Sequence, residues 1–291
     1  MLPLKDNIPT DRFPVVTVAL IVINVAFFIW QWAYPTTPEL SDPPLDLGSI
    51  DQSSLEYGAV PYRITHPGET QDCSIGAVGN PSQSGQYEAG VVCPGTGDYE
   101  QAVEAGEQNP NVAPLPLDQA PWYVTLFTSM FMHAGILHIA GNLLFLWVFG
   151  NNIEDSMGRA KFLAFYLAAG IVAVYAQALL DTSSTVPTIG ASGAVAGVLG
   201  AYALLHPAAR VLTLIFIIFF VTLVEIPALI LLAIWFILQF APAIGQVATP
   251  EVGGGEGVAY FAHVGGFIFG LLMVKLLARR KRDPEPELPA Y

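Results

Sequence analysis

Apolar runs long enough to cross a bilayer alternate with short polar turns over most of this chain, and one long polar stretch interrupts them. A crossing needs roughly 17–25 mainly apolar residues. Six segments meet or approach that length: Phe13–Tyr34, Ile136–Ile153, Phe162–Leu180, Ala191–His206, Val221–Ala241 and Val258–Leu277. The first exceeds the roughly 7–15 apolar residues of a signal-peptide core and lacks a small-residue cleavage site, so it is expected to stay as an anchor. Arg210–Phe220 is also apolar, but Pro207 breaks it from the fourth segment, which predicts an interfacial or re-entrant connector. Glu225 and Pro227 fall near the start of the fifth segment. The pattern predicts an all-α polytopic membrane protein built as a six-transmembrane-helix bundle.

Charge sets the expected orientation. Only 12% of the 291 residues are charged and 53% are apolar, against about 25% charged in soluble chains. Cytoplasmic loops collect Lys and Arg. With six crossings, Lys5, Arg12, Arg159, Lys161, Arg210, Lys275 and the Arg279–Arg282 cluster share one side, which is ten of the eleven basic residues. Seven crossings would leave the terminal cluster outside, so both termini are expected in the cytoplasm. The net charge of −13 comes with no basic stripe, and a nucleic-acid partner is not expected.

Four regions follow: residues 1–34 as a cytoplasmic N-terminus and first span, 35–120 as an outer loop, 121–278 as the helical core, and 279–291 as a basic-then-acidic cytoplasmic tail. The outer loop is rich in Pro, Gly and Ser, carries 13 of the 24 acidic residues and shows no long apolar periodicity. It reads as a tolerated surface insertion, although a part in recruiting or excluding substrates stays open. It holds both cysteines, Cys73 and Cys93. Outside the cytoplasm a disulfide is their expected state, contributing about 3 kcal/mol for a loop of this size.

By parity, spans two, four and six all run inward. His138 and Ser192 open spans two and four, and His263 lies roughly 7–8 Å into span six at about 1.5 Å per residue. Asn142, four residues after His138, shares its helical face. Polar side chains inside a membrane are costly and face the bundle interior or a hydrated cavity. Four at one depth on three helices form a candidate site. Gly193 and Gly197 on span four, and Gly266 and Gly270 on span six, are the small residues through which helices approach closely. A lone serine in such a helix is more often interhelical glue or a cap than a nucleophile, and a lone histidine more often an interior hydrogen-bonding group. The combination is what points to chemistry.

The segments "GASGAVAGVLGAY", "HAGILHIAGNLLFLWVFG", "AHVGGFIFG" and "NNIEDSMGRAKF" resemble, in order, four motifs of the rhomboid intramembrane serine proteases: the serine segment, the His-xxx-Asn span, the sixth span, and a turn with Glu154 and Gly158. The resemblance covers most of Pro121–Leu277 and implies a Ser-His dyad. Ser192 would be the nucleophile and His263 the general base, while His138, Asn142 and the Ser192 N–H would stabilise the oxyanion. Gly190 and Ala191 would position Ser192, and His133 would have a local structural role. Gln246–Gly257 would be a mobile cap by analogy. The expected activity is cleavage of transmembrane segments near the outer face, with other membrane proteins as substrates, the lipid bilayer as surroundings, and neither cofactor nor metal. Oligomeric state is left open. A prokaryotic plasma membrane is expected by the same analogy, because no organelle-targeting segment is evident.

Two features depart from the family pattern. Ala196 stands where many rhomboids carry an aromatic residue under the histidine ring, and Tyr260 or Phe261 could substitute only if geometry allows. The outer loop is also much longer than the usual hairpin. The alternative function is a catalytically inactive rhomboid-like protein that binds client helices, which would ordinarily lack Ser192 or His263. A transporter should show repeated halves, and a zinc protease would need HExxH; neither pattern is present.

Overall fold

The computed structural model describes residues 2–37, 47–68, 73–78, 88–217, 220–248 and 258–278. The chain opens with strand β1 (Leu2–Asp6) and helix α1 (Val15–Trp32). A segment between α1 and the helical core follows: α2 (Ser49–Tyr57), α3 (Pro61–Thr65), β2 (Ser74–Val78), β3 (Glu88–Val92), α4 (Gly97–Gln108) and β4 (Leu115–Pro116). The core begins at α5 (Trp122–Thr128) and continues through α6 (Ile136–Met157), α7 (Arg159–Leu180) and α8 (Ser192–Leu205). Strands β5 (Arg210–Ile217) and β6 (Phe220–Pro227) then lead to α9 (Ala228–Ala248) and α10 (Tyr260–Leu277). In lipid every backbone N–H and C=O must be satisfied within the segment, which is why apolar runs that carry weak helix formers, such as Gly193, Gly197 and Gly200 of α8, still become helices.

Helices α1, α6, α7 and α10 are long and apolar enough to cross a membrane, while Ser192–Leu205 and Ala228–Ile244 are shorter apolar helices. Large apolar side chains, among them Ile29, Leu137, Trp147, Leu179, Ile237 and Leu272, are exposed around the bundle. So broad an apolar exterior marks an integral multi-pass membrane protein rather than a water-facing surface. α8 is the central helix: every residue from Gly193 to Ala203 is buried.

The structure corrects the all-α expectation. Arg210–Ile217 and Phe220–Pro227 pair antiparallel, from Arg210 opposite Pro227 to Ile217 opposite Phe220, and β1 adds to β5 in the order β1-β5-β6. The connector is therefore a β-hairpin, and the fifth helix begins at Ala228 rather than Val221. Three physical reasons apply. A short apolar run has no periodicity to separate strand from helix, and Val211, Thr213, Ile215, Val221, Thr222, Val224 and Ile226 are β-branched, a strand preference. Pro227 also disfavours helical backbone at the residue before it. Glu225 pairs with Arg210 at 3.5 Å, an exposed contact worth little.

This inserted segment is folded and docked, where its composition predicts an irregular insertion. β2 pairs with β3 and β4, Cys73 and Cys93 are joined in a disulfide, and Leu55, Val60, Tyr62, Ile75, Val91 and Val112 form its own small core. It meets the bundle through Ala59, Ile64, Leu126, Val174 and Ala178. The Ala59 N–H donates to Thr188 O at 3.1 Å and is answered by the Thr188 N–H to Ala59 O at 2.8 Å. Short elements this poor in periodic apolar residues rely on a cross-link and on the bundle surface, which a composition reading does not detect. Residues 279–291 of the expected tail lie outside the described residues.

Two buried anchors tie the ends of the helices. Glu154 near the end of α6 accepts the N–H groups of Val16 and Thr17, at 3.0 and 2.8 Å, and the Thr17 hydroxyl at 2.8 Å. It thus caps the otherwise unpaired donors at the start of α1. Gly158, at φ +83°, turns the chain from α6 into α7, a conformation that costs glycine least. Asp6 of β1 accepts from Asn152 of α6 at 2.5 Å and from the Tyr202 hydroxyl of α8. Burial pushes the Asp6 carboxyl up to about 6.

Glu154→Ala should lower stability by about 1–3 kcal/mol, because it strands two buried donors on Thr17 and a part-buried one on Val16; thermal unfolding in detergent measures it. Asp6 has a folded-state pKa above its ordinary value, so its contribution is fully present below about pH 4 and is lost as pH rises through about 6. Asp6→Asn should flatten the fall in melting temperature across that window.

Candidate active site

The candidate site lies where α6, α8, α9 and α10 converge. Ser192 is the first residue of α8, reached through Gly190 at φ +117°. The Gly190 N–H donates to Ser129 O at 2.8 Å, which pins this turn to the segment leading into α6. A Cβ on Gly190 would sit 2.7 Å from His138 Nε2, so the position needs glycine both for its backbone angle and for the ring beside it.

Ser192 Oγ lies 2.7 Å from His263 Nε2, and His263 Nδ1 lies 2.7 Å from Gln239 Oε1. The first distance depends on glycine. A Cβ on Gly266 would collide with the carbonyl oxygen of Gly193, and one on Gly270 with that of Gly197. On its other flank α8 meets α7 just as closely, where Cβ atoms on Gly193 and Gly197 would crowd Ala173 and Ala169. Small faces on both sides let α8 sit deep in the bundle with its first residue against α10.

His138 and Asn142, one turn apart on α6, line the same cavity of about 360 Å³ as Ser192 and His263. His138 Nδ1 accepts a long hydrogen bond, 3.4 Å, from the Ala134 N–H, which leaves the ring proton on Nε2, the nitrogen next to Gly190. Asn142 Nδ2 is buried and has no hydrogen-bond partner among the described residues. An amide donor left unmet inside a membrane protein costs free energy unless something in the cavity accepts from it. His133 donates its backbone N–H to Gln31 of α1 at 2.8 Å and packs edge-on to His138, with ring centroids 5.1 Å apart.

The residues singled out from sequence thus come together: Ser192, His263, His138 and Asn142 at the cavity, Gly190 and Ala191 at the approach, and Gly193, Gly197, Gly266 and Gly270 at the helix contacts. Two others were missed. Gln239 touches His263, and Trp235, not Tyr260 or Phe261, supplies the aromatic ring against it, with centroids 5.9 Å apart. Both sit one turn apart on α9. The available signal was the amide of Gln239, the first polar side chain in "ALILLAIWFILQFAPAIGQVA", since a polar group in an apolar span calls for a partner. Of the expected cap, Gln246–Ala248 belong to α9, and 249–257 lie outside the described residues.

The Rhomboid domain family matches residues 121–280. Among similar proteins, the rhomboid protease GluP of Bacillus subtilis is 43% identical over 83 residues, covering 28% of this chain and 16% of that one. Presenilin-associated rhomboid-like protein A, mitochondrial, of Danio rerio is 30% identical over 162 residues, 54% of this chain and 39% of that one. Rhomboid protein 1, mitochondrial, of Saccharomyces cerevisiae is 31% identical over 106 residues, 35% and 31%. The chain therefore spans well under half the length of each of these relatives. Two of the three are named as mitochondrial, so they lend no support to the expected prokaryotic plasma membrane.

Gly190→Ala should cost about 1–3 kcal/mol through backbone strain and should displace the His138 ring. An unchanged melting temperature would show that the turn accepts a side chain.

Proposed function

The chain belongs to the rhomboid family, and on that premise we propose that it is an intramembrane serine endopeptidase that cuts transmembrane segments of other membrane proteins. The observation that carries this reading is the 2.7 Å pairing of Ser192 Oγ with His263 Nε2 beside a cavity that also holds an unpaired amide donor.

The steps follow from what each group can do. Ser192 Oγ attacks the scissile carbonyl while His263 Nε2 takes its proton, and the histidine then returns that proton to the leaving amine. The developing oxyanion accepts from Asn142 Nδ2, from His138 Nε2–H and from the Ser192 backbone N–H at the positive end of α8. Water entering the cavity hydrolyses the acyl-enzyme by the reverse sequence. A helical substrate must first expose a carbonyl, so a segment with small or helix-breaking residues near the cut is preferred.

Helix length supports a recessed site. The 14 residues of α8 span about 21 Å, against about 30 Å of hydrocarbon. With its C-terminal end at the inner face, α8 places Ser192 below the outer one. We read the four long and two shorter apolar helices as six crossings with cytoplasmic termini, which agrees with the distribution of basic residues and puts the cavity mouth on the outer side.

With purified protein in liposomes and a single-span substrate, wild type should yield two fragments cut within or next to the membrane segment. Ser192→Ala and His263→Ala should yield none, and Asn142→Ala should lose roughly 10²–10³ in kcat, the usual cost of one oxyanion donor. Equal cleavage by Ser192→Ala would defeat the reading.

A further inference from the structure

The contact between Gln239 and His263 has no counterpart in a two-residue Ser-His mechanism. We propose that Gln239 is a positioning residue that completes a Ser192–His263–Gln239 relay, so that the histidine is held in its proton-accepting form only while α9 is packed against α10. This rests on the protease reading above.

A neutral imidazole carries one proton, and which nitrogen holds it depends on the partner of the other. An amide carbonyl oxygen can only accept. With Gln239 Oε1 at 2.7 Å from Nδ1, the proton is on Nδ1, and the Nε2 lone pair faces the Ser192 hydroxyl at 2.7 Å. The opposite tautomer would put an N–H against the serine and leave no base. Gln239 thereby does with a neutral group what a buried carboxylate does in a Ser-His-Asp triad: it fixes the tautomer and the ring plane.

The arrangement belongs to α9 as a whole. Trp235, one turn before Gln239, lies along the His263 ring, and Phe236 packs on Phe267, one turn after His263, with centroids 4.7 Å apart. One face of α9 therefore supplies both the amide and the aromatic wall. This accounts for Ala196 at the position on α8 where an aromatic was expected: the ring is supported from the opposite helix. The titratable side chain that shares the cavity with His263 is His138 of α6, whereas Nδ1 of His263 meets the Gln239 amide of α9. A displacement of α9 from α10 removes the acceptor and the wall together, making the helix position a condition for activity.

The test uses the full chain in liposomes with the single-span substrate. Gln239→Leu is expected to lower kcat about 10- to 100-fold, the usual cost of a misplaced catalytic group, with KM unchanged. Gln239→Glu keeps an acceptor and should recover most of that loss, with the acid limb of the kcat/KM profile moved to higher pH, which a merely packing role would not do. Unchanged kcat in Gln239→Leu, a rise in KM alone, or a Gln239→Glu variant no better than Gln239→Leu would each overturn the proposal. Should Gln239→Leu fail to fold, ¹⁵N imidazole spectra of folded wild type decide: a proton on Nδ1 of His263 supports the relay, and one on Nε2 overturns it. An inactive, folded wild type would instead defeat the protease reading, and this inference with it.

Discussion

The contact on which the rest of this structure depends is that between backbones of α8 and α10. Gly266 and Gly270 lie so close to the carbonyl oxygens of Gly193 and Gly197 that no side chain fits at either position. In lipid there is no hydrophobic drive to bring helices together, so close backbone packing has to supply the attraction. The same closeness sets the distance between Ser192 and His263, because each residue sits near the N-terminal end of its helix. Stability and the candidate chemistry therefore rest on one set of atoms. A methyl group added there would part the helices and separate the pair.

Around that contact the chain places two kinds of support. At one end of the bundle, Glu154 and Asp6 bind the start of α1 and strand β1 to α6 and α8 through buried hydrogen bonds. At the other, the folded segment between α1 and α5 presses on α7 and on the strand-like turn before Ser192, with Ala59 paired to Thr188 four residues ahead of the serine. The two supports act on opposite ends of the same central helix. The segment between α1 and α5 thereby acquires a structural reason to exist, since it holds the approach to Ser192.

Much of this was legible in the order of residues, and the boundary of legibility has physical causes. Helical spans betray themselves by length, and the spacing of His138 and Asn142 puts them on one face whatever surrounds them. Ser192 and His263 could be placed at a common depth by counting residues. Strands β5 and β6 were not legible, since a short apolar run fits a buried helix and a strand equally well until Pro227 is weighed as a helix start. Gln239 escaped for another reason: its role depends on how α9 rotates against α10, and Gly-poor α9 carries no pattern that declares its facing side. The fold of the segment between α1 and α5 was hidden because its stability comes from a cross-link and from docking rather than from periodic apolar residues.

The central claim is that the glycine contact between α8 and α10 creates an activated serine inside the membrane. The measurement that tests it most directly is covalent labelling of detergent-solubilised protein with a fluorophosphonate, the adduct located by mass spectrometry, on wild type and on Gly266→Val. The account expects an adduct on Ser192 in wild type, and none in Gly266→Val protein that still folds with its helices. No adduct on folded wild type, or undiminished labelling when the helices are forced apart, would contradict it.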